Sequence, residues 1–288
     1  MSDGTADPVT KHLEYLNRAV NVIYNEVNQL RSEILARQDS FAANLLYQRA
    51  RLRDRYGAVR VLTERPVAAD SPDHLVPWGT ARDNSVNGRF NAKLSAWISP
   101  HDLTVLDLGC SGGGAVRSFI EQGCLAVGIE GSDYSLRRQR AEWATIPEFL
   151  FTADITAPFT VEAGGQCLFR FSVITAWEVM EHIRSEELDR VLANMARHLT
   201  TGGVLIMSVS TRSDVVNGVE LHQTVEGKDW WMRKFDGAGF DQHEDIVAFF
   251  GNDFVRWEEN APGSFHAILT RAGETPSHAK RLALLLGK

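Results

Sequence analysis

Cysteine is scarce in this 288-residue chain, which holds three, at Cys110, Cys124 and Cys167. Their spacing suits neither a zinc site nor a disulfide framework, so a reducing, cytoplasmic setting is expected. Positive charge is also short: 30 Lys and Arg against 37 Asp and Glu leave a formal net charge of −7. That balance argues against a broad phosphate-binding surface, making nucleic acid an unexpected partner without excluding it. The local basic clusters, at 49–60 and at Arg137, Arg138 and Arg140, read first as solvated helix faces. No apolar run approaches the roughly twenty residues of a membrane span, and the polar opening at 1–8 does not read as a secretory leader. Internal repeats and low-complexity tracts are absent as well.

What is present is enough apolar sequence, 44% of the chain, to fill one sizeable core and an extension. The most informative run is 105–114. Val105, Leu106 and Leu108 read as a buried strand, Gly109-Cys110-Ser111-Gly112-Gly113-Gly114 as a turn, and a helix starts near Ala115. Glycines in such a turn let backbone N–H groups approach a ligand at the helix amino end. A second strand, 126–130, ends in Glu130-Gly131-Ser132, and a third, 149–152, ends in Ala153-Asp154-Ile155. In a doubly wound sheet Glu130 lies beside the first turn, where a carboxylate accepts hydrogen bonds from both ribose hydroxyls. Asp154 can meet an adenine amino group, and Ile155 the face of its ring.

With three strand ends converging on one nucleoside, the segment from about 104 to 271 resembles the class I S-adenosylmethionine-dependent methyltransferases. The resemblance implies S-adenosylmethionine as cofactor, with Asp107 and Gly109 at its methionine end, Glu130 on the ribose, and Asp154 with Ile155 around adenine. Cys110, Ser111, Gly113, Gly131, Ser132 and Trp177 complete the expected cofactor site. The family's usual D-x-G-x-G-x-G carries serine at its second glycine, Ser111, which fits if that position keeps a negative φ. An NAD-linked Rossmann site is the alternative from glycine spacing. Gly109, Ser111 and Gly114 satisfy G-x-G-x-x-G only with the same substitution, and the residues downstream decide for the methyl donor.

The expected fold is α/β: a Rossmann-like, seven-stranded, mostly parallel sheet with helices on both faces, behind an N-terminal helical extension. From 104 strands and helices alternate, with a strand at 171–175, a helix at 186–198 and a strand at 203–209, the order of a parallel sheet with crossovers. A helix at 228–238 precedes two apparent strands, 245–250 and 264–270, which the resemblance implies are the terminal antiparallel pair. The organisation read from this is an extension at 1–60, a connector at 61–102, a methyltransferase domain at 103–274 and a tail helix at 275–288. Pro66, Pro72 and Pro77 mark the connector. Its polar segment 78–91 reads either as a cofactor or substrate wall or as a capped turn into a helix at 91–97. In the extension, Val9, Leu13, Leu16, Val20, Ile23, Val27, Leu30 and Ile34 repeat at intervals of four and three. This seam fits a parallel two-stranded coiled coil, hence a homodimer through 9–34, or an amphipathic helix folded onto its own domain.

Acceptor chemistry is expected after the fourth strand, where Glu178, Glu181 and His182 stand as i, i+3 and i+4 and would share one face of a helical turn. Two carboxylates and an imidazole suit a divalent cation, Mn, Fe, Co, Zn or Mg, which would relieve their repulsion. His222, in the loop after the fifth strand, can add a fourth ligand. This E-x-x-E-H pattern with a distant histidine resembles two metal-dependent O-methyltransferase groups, the small-RNA 3′-terminal 2′-O-methyltransferases and the ubiquinone-biosynthesis O-methyltransferases. The resemblance implies Glu178, Glu181, His182 and His222 as ligands and an acceptor with adjacent hydroxyls. The acid-rich composition favours a small-molecule or saccharide-like acceptor over RNA. His182 or His222, if not a ligand, can serve as general base, and the Glu-His pair can also simply cap a helix or bond the cofactor loop. Metal-independent N- or C-methyl transfer is a further alternative. A catalytically idle coiled-coil assembly module is another, against which Asp107, Glu130 and Asp154 speak.

Overall fold

In the computed structural model, residues 7–257, 259 and 261–288 are described; the first six residues of the expected extension lie outside them. The first helix, α1 (Pro8–Tyr56), runs 49 residues. Proline at its first position fits a helix start, and no glycine or further proline interrupts it. Gly57 stops it in the left-handed region at φ 66°, where its N–H donates to the Arg53 carbonyl at 2.8 Å. The chain forms two compact units, 1–47 and 48–288, the first built on the amino-terminal stretch of this helix. Among the described residues no helix is long and apolar enough to cross a membrane.

The second unit continues with β1 (Arg60–Thr63), the one-turn α2 (Pro72–Leu75) and α3 (Gly88–Trp97). Then follow β2 (Thr104–Leu108), α4 (Gly114–Glu121), β3 (Leu125–Glu130), α5 (Tyr134–Arg138), β4 (Leu150–Thr152), β5 (Phe159–Glu162), β6 (Phe171–Trp177), α6 (Leu188–His198) and β7 (Leu199–Ser210). A small hairpin, β8 (Val215–Val216) and β9 (Val219–Glu220), leads to α7 (Lys228–Gly237), β10 (Phe240–Gln242), α8 (Glu244–Phe250), β11 (Ser264–Arg271) and α9 (Ala279–Leu285). Seven strands make one sheet in the order β10-β11-β7-β6-β2-β3-β4. β2, β3, β4, β6 and β7 run parallel, while β11 and β10 are antiparallel additions at one edge. The Rossmann-like reading is borne out. The central strands are mostly apolar and, apart from Trp177 at the end of β6, buried, as expected of a parallel sheet covered by its crossover helices.

The chain places β3 and β4 on one side of β2 and then crosses to put β6 and β7 on the other. The loops after β2 and β6 therefore leave the sheet in opposite directions, and a crevice opens between them at the carboxyl edge. This switch of direction positions the site.

Three expectations need correction here. Residues 245–250 are helical, not a strand: Ile246 and Phe250, four apart, are the buried pair of α8, and the edge strand is β10. The connector holds more regular structure than its prolines suggest, since β1 pairs antiparallel with β5 from Arg60↔Glu162 to Thr63↔Phe159. α3 starts at Gly88, before the expected 91, because Asn87 caps it and accepts from the Arg89 and Phe90 N–H groups.

Candidate active site

The crevice holds a cavity of about 510 Å³, within the range of small-molecule sites. Gly109, Ser111, Glu130, Gly131, Ser132, Asp154, Ile155 and Trp177 line it. The other expected cofactor residues, Asp107, Cys110 and Gly113, are absent from its wall and stand behind it. Asp107 is buried and accepts from the Thr175 hydroxyl at 2.6 Å, and burial pushes its carboxyl up to about 7. Cys110 turns its thiol toward the adjacent strand, 2.7 Å from where a β-carbon on Gly128 would sit. Gly113 precedes α4 in the left-handed region, φ 87°, with Leu150 filling the space beside it.

At the end beside β3, Glu130 is the organising group. One of its oxygens accepts the Ser111 N–H at 2.8 Å and the other the Ser132 N–H at 3.1 Å. Burial raises its pKa, opposed by these two N–H donors, and each oxygen retains a lone pair for a ligand hydroxyl. Ser111 does not keep the negative φ expected of it. It sits at φ 48°, and its hydroxyl donates to the main-chain carbonyls of Asp83 at 3.1 Å and Thr80 at 3.3 Å. The serine thus ties the turn to the connector instead of reaching into the cavity. Gly112 serves the same closure, because a β-carbon there would lie 2.5 Å from Asn84 Oδ1.

The connector segment 78–91 fulfils both of its readings. Trp78, Thr80 and Asp83 line the cavity, Asn87 caps the helix, and the Asp83 carboxylate is paired with Arg256 from the far side of the crevice. Asp154 differs from expectation in its partners: Oδ1 accepts the N–H and hydroxyl of Thr156 at 2.9 and 2.6 Å, and Oδ2 meets Arg65 at 3.0 Å. Arg65 was not singled out from sequence, and no motif marks it.

At the opposite end the expected helical face does not form. Glu178 sits at φ 53°, only a single 3₁₀ turn, Met180–His182, follows, and Glu178 accepts from Ser264 on β11 at 2.8 Å. Glu181, His182 and His222 do converge, each offering a donor atom within 4.8 Å of the others, with the two imidazoles edge to face at 4.6 Å. The main chain explains how a histidine forty residues away arrives. Asn217 and Gly218, both at positive φ, close the β8–β9 hairpin as an Asn-Gly turn. Gln223 and Thr224 then donate to the Glu181 carbonyl at 2.7 and 2.9 Å. The Asn-Gly pair was the sequence signal for this placement.

Each of the three side chains has one polar atom against a neighbour. Glu181 Oε1 accepts the Ser210 N–H at 2.9 Å. His222 Nδ1 donates to the Arg212 carbonyl at 2.5 Å. His182 Nδ1 lies 2.9 Å from Asp73 Oδ2 in the first turn of α2, a partner sequence reading missed. Among the described residues Glu181 Oε2, Glu178 Oε1 and His182 Nδ1 are buried with no hydrogen-bond partner, so Asp73 acts on His182 as a neighbouring charge. Burial, then the neighbouring Glu178 charge, pushes Glu181 up to about 8. For His182 burial lowers the pKa, but Asp73, Glu181 and Glu178 outweigh it and push the imidazole up to about 9. A buried acid with one unspent oxygen beside two imidazoles, one of them fixed through Nδ1, is a donor set that fits a divalent cation.

Residues 80–255 match a family model described as a methyltransferase domain. No curated protein matches the chain. Among solved structures it is similar to the glycopeptide N-methyltransferase MtfA complexed with S-adenosylmethionine, at 15% identity over 67% of this chain and 90% of that one, TM-score 0.45. It is also similar to the sugar N-methyltransferase KedS8 from Streptoalloteichus sp ATCC 53650, at 15% identity over 69% and 92%, TM-score 0.45. The third is DesVI of Streptomyces venezuelae, at 17% identity over 73% and 98%, TM-score 0.45.

Proposed function

We propose an acceptor and a chemistry for this chain, which belongs to the methyltransferase-domain family of S-adenosylmethionine-dependent enzymes: methyl transfer to one of two adjacent hydroxyls on a small or saccharide-like acceptor, assisted by a divalent cation. One observation carries the reading. Glu181 Oε2 has no donor, and Glu181, His182 and His222 each offer a ligand atom within 4.8 Å of the others, the arrangement a shared cation would use.

In this reading Glu130 takes the ribose hydroxyls, Ile155 and Gly131 flank the adenine, and Gly109 with Trp177 borders the methionine end. Glu181, His182 and His222 hold the cation, and Glu178, turned toward Ser264, contributes charge without ligating. A bound cation supplies Lewis acidity and a template, acidifying a coordinated hydroxyl. His182 would release a proton on cation binding; the Arg212 carbonyl would keep the His222 proton on Nδ1, and Asp73, beside His182 Nδ1, would favour the same placement there. The walls from the connector and the β7–β9 segment exclude water and aim the acceptor oxygen. That oxygen attacks the methyl carbon, the carbon–sulfur bond breaks, the sulfonium becomes a neutral thioether, and the hydroxyl proton leaves to solvent. The unbridged cysteines accord with a cytoplasmic enzyme.

The test is transfer of labelled methyl from S-adenosylmethionine to catechols and glycosides before and after chelation, with donor affinity measured in parallel. Chelation should abolish transfer, spare donor binding, and be reversed by added cation. Undiminished turnover in chelator would sink the metal; transfer to amines alone would sink the hydroxyl acceptor.

A further inference from the structure

The seam of α1 carries apolar residues that its own helix cannot cover. Those from Val9 to Ile34 are 44 to 62% exposed, although each is large enough to be costly in water. They follow a heptad: Leu13, Val20, Val27 and Ile34 take the a positions, and Leu16, Ile23 and Leu30 the intervening d positions. We propose that a second copy of this chain covers the face, as a parallel, in-register, two-stranded coiled coil over 9–34; this is independent of the methyl acceptor.

Three features identify that occupant. β-Branched residues at a with mostly leucine at d pack as two parallel strands in preference to three or four. In the parallel register each g position faces the e position five residues on in the other strand. This places Glu26 against Arg31 of the second copy, and Arg31 against its Glu26, two opposite-charge pairs related by symmetry. Ala19 likewise faces Tyr24, a small residue against a large one. Within one chain, neither Glu26 nor Arg31 has an ion-pair partner among the described residues, whereas Glu14 and Arg18, off the seam, pair at 3.6 Å. An antiparallel arrangement sets g beside g and brings Glu26 and Glu33 against the same acids of the second strand.

Sedimentation equilibrium of the full chain reads the proposal directly. The expected mass is about twice the 32.1 kDa of one chain. Val27→Asp should yield a monomer whose catalytic unit melts at the wild-type temperature. Glu26→Arg and Arg31→Glu should each weaken association roughly tenfold. Mixing the two variants should restore dimers, because only the heterodimer sets the two arginines of one strand against the two glutamates of the other. A monomeric wild type, a three- or four-chain mass, or a dimer indifferent to Val27→Asp overturns the seam. Failure of the mixed variants to rescue each other overturns the parallel register.

Discussion

The carboxylates at the two ends of the cavity are kept in opposite ways. Beside β3, Glu130 is met by two N–H donors and Asp154 by Thr156 and Arg65, so every carboxylate oxygen there has a partner within the chain. Beside β6, Glu178 and Glu181 each keep a buried oxygen with no donor. An unmet buried acceptor costs on the order of 1–3 kcal/mol, more when charged, and such a cost persists where a ligand offsets it. The difference teaches that the side beside β3 is framed by the chain's own donors, while the side beside β6 leaves oxygens that the described residues do not meet.

The most drastic way to break this contrast is His222→Ala. It should lower methyl transfer by roughly 10²- to 10⁴-fold and leave donor affinity within about twofold, as isothermal titration would show. Equal losses in turnover and donor affinity would mean that the two ends are one site.

Asp107 is the donor end's own unsettled charge, and it gives a pH test. Its folded pKa of about 7 stands above the ordinary value near 4, so the unfolded chain releases the proton first. The stability it contributes is complete below about pH 4 and is lost as pH rises through about 7, by a few kcal/mol at most. Asp107→Asn should remove that slope from thermal melts taken between about pH 5 and 8. Parallel melting curves for variant and wild type would refute it.

Asp73→Asn asks whether the acceptor end depends on a partner more than a hundred residues upstream. Cation affinity should fall about 10- to 100-fold in a metal titration, with the fold intact by circular dichroism; unchanged affinity would make the Asp73–His182 pair merely structural. The smallest effect is expected of Ser111→Gly. Relief of the left-handed backbone, about 1 kcal/mol, and loss of a hydroxyl bond of similar worth should nearly cancel in denaturant unfolding. A large loss of donor affinity would instead put that hydroxyl on the cofactor.

The parallel strands are legible because β2, β3 and β6 are predominantly apolar and flanked by turn residues. Residues 245–250 were misread since a short apolar run has no period of its own; burial of Ile246 and Phe250, decided by what packs on them, chose the helix. The E-x-x-E-H spacing implies one helical face, but nothing in a glutamate announces the positive φ that turns Glu178 toward Ser264. Asp73 and Arg65 lie in a connector with no motif, and only the closed fold shows them at His182 and Asp154.

By itself, then, the sequence determined the periodicities: a heptad seam, buried strands, a glycine turn, and an acid ending the second strand. These depend on neighbours within a few residues, where backbone sterics and side-chain spacing act directly. Only the tertiary structure decided which polar atoms are satisfied and which are left over. A hydrogen bond is completed by whichever distant segment arrives, as Ser210, Arg212 and Asp73 do around Glu181, His222 and His182.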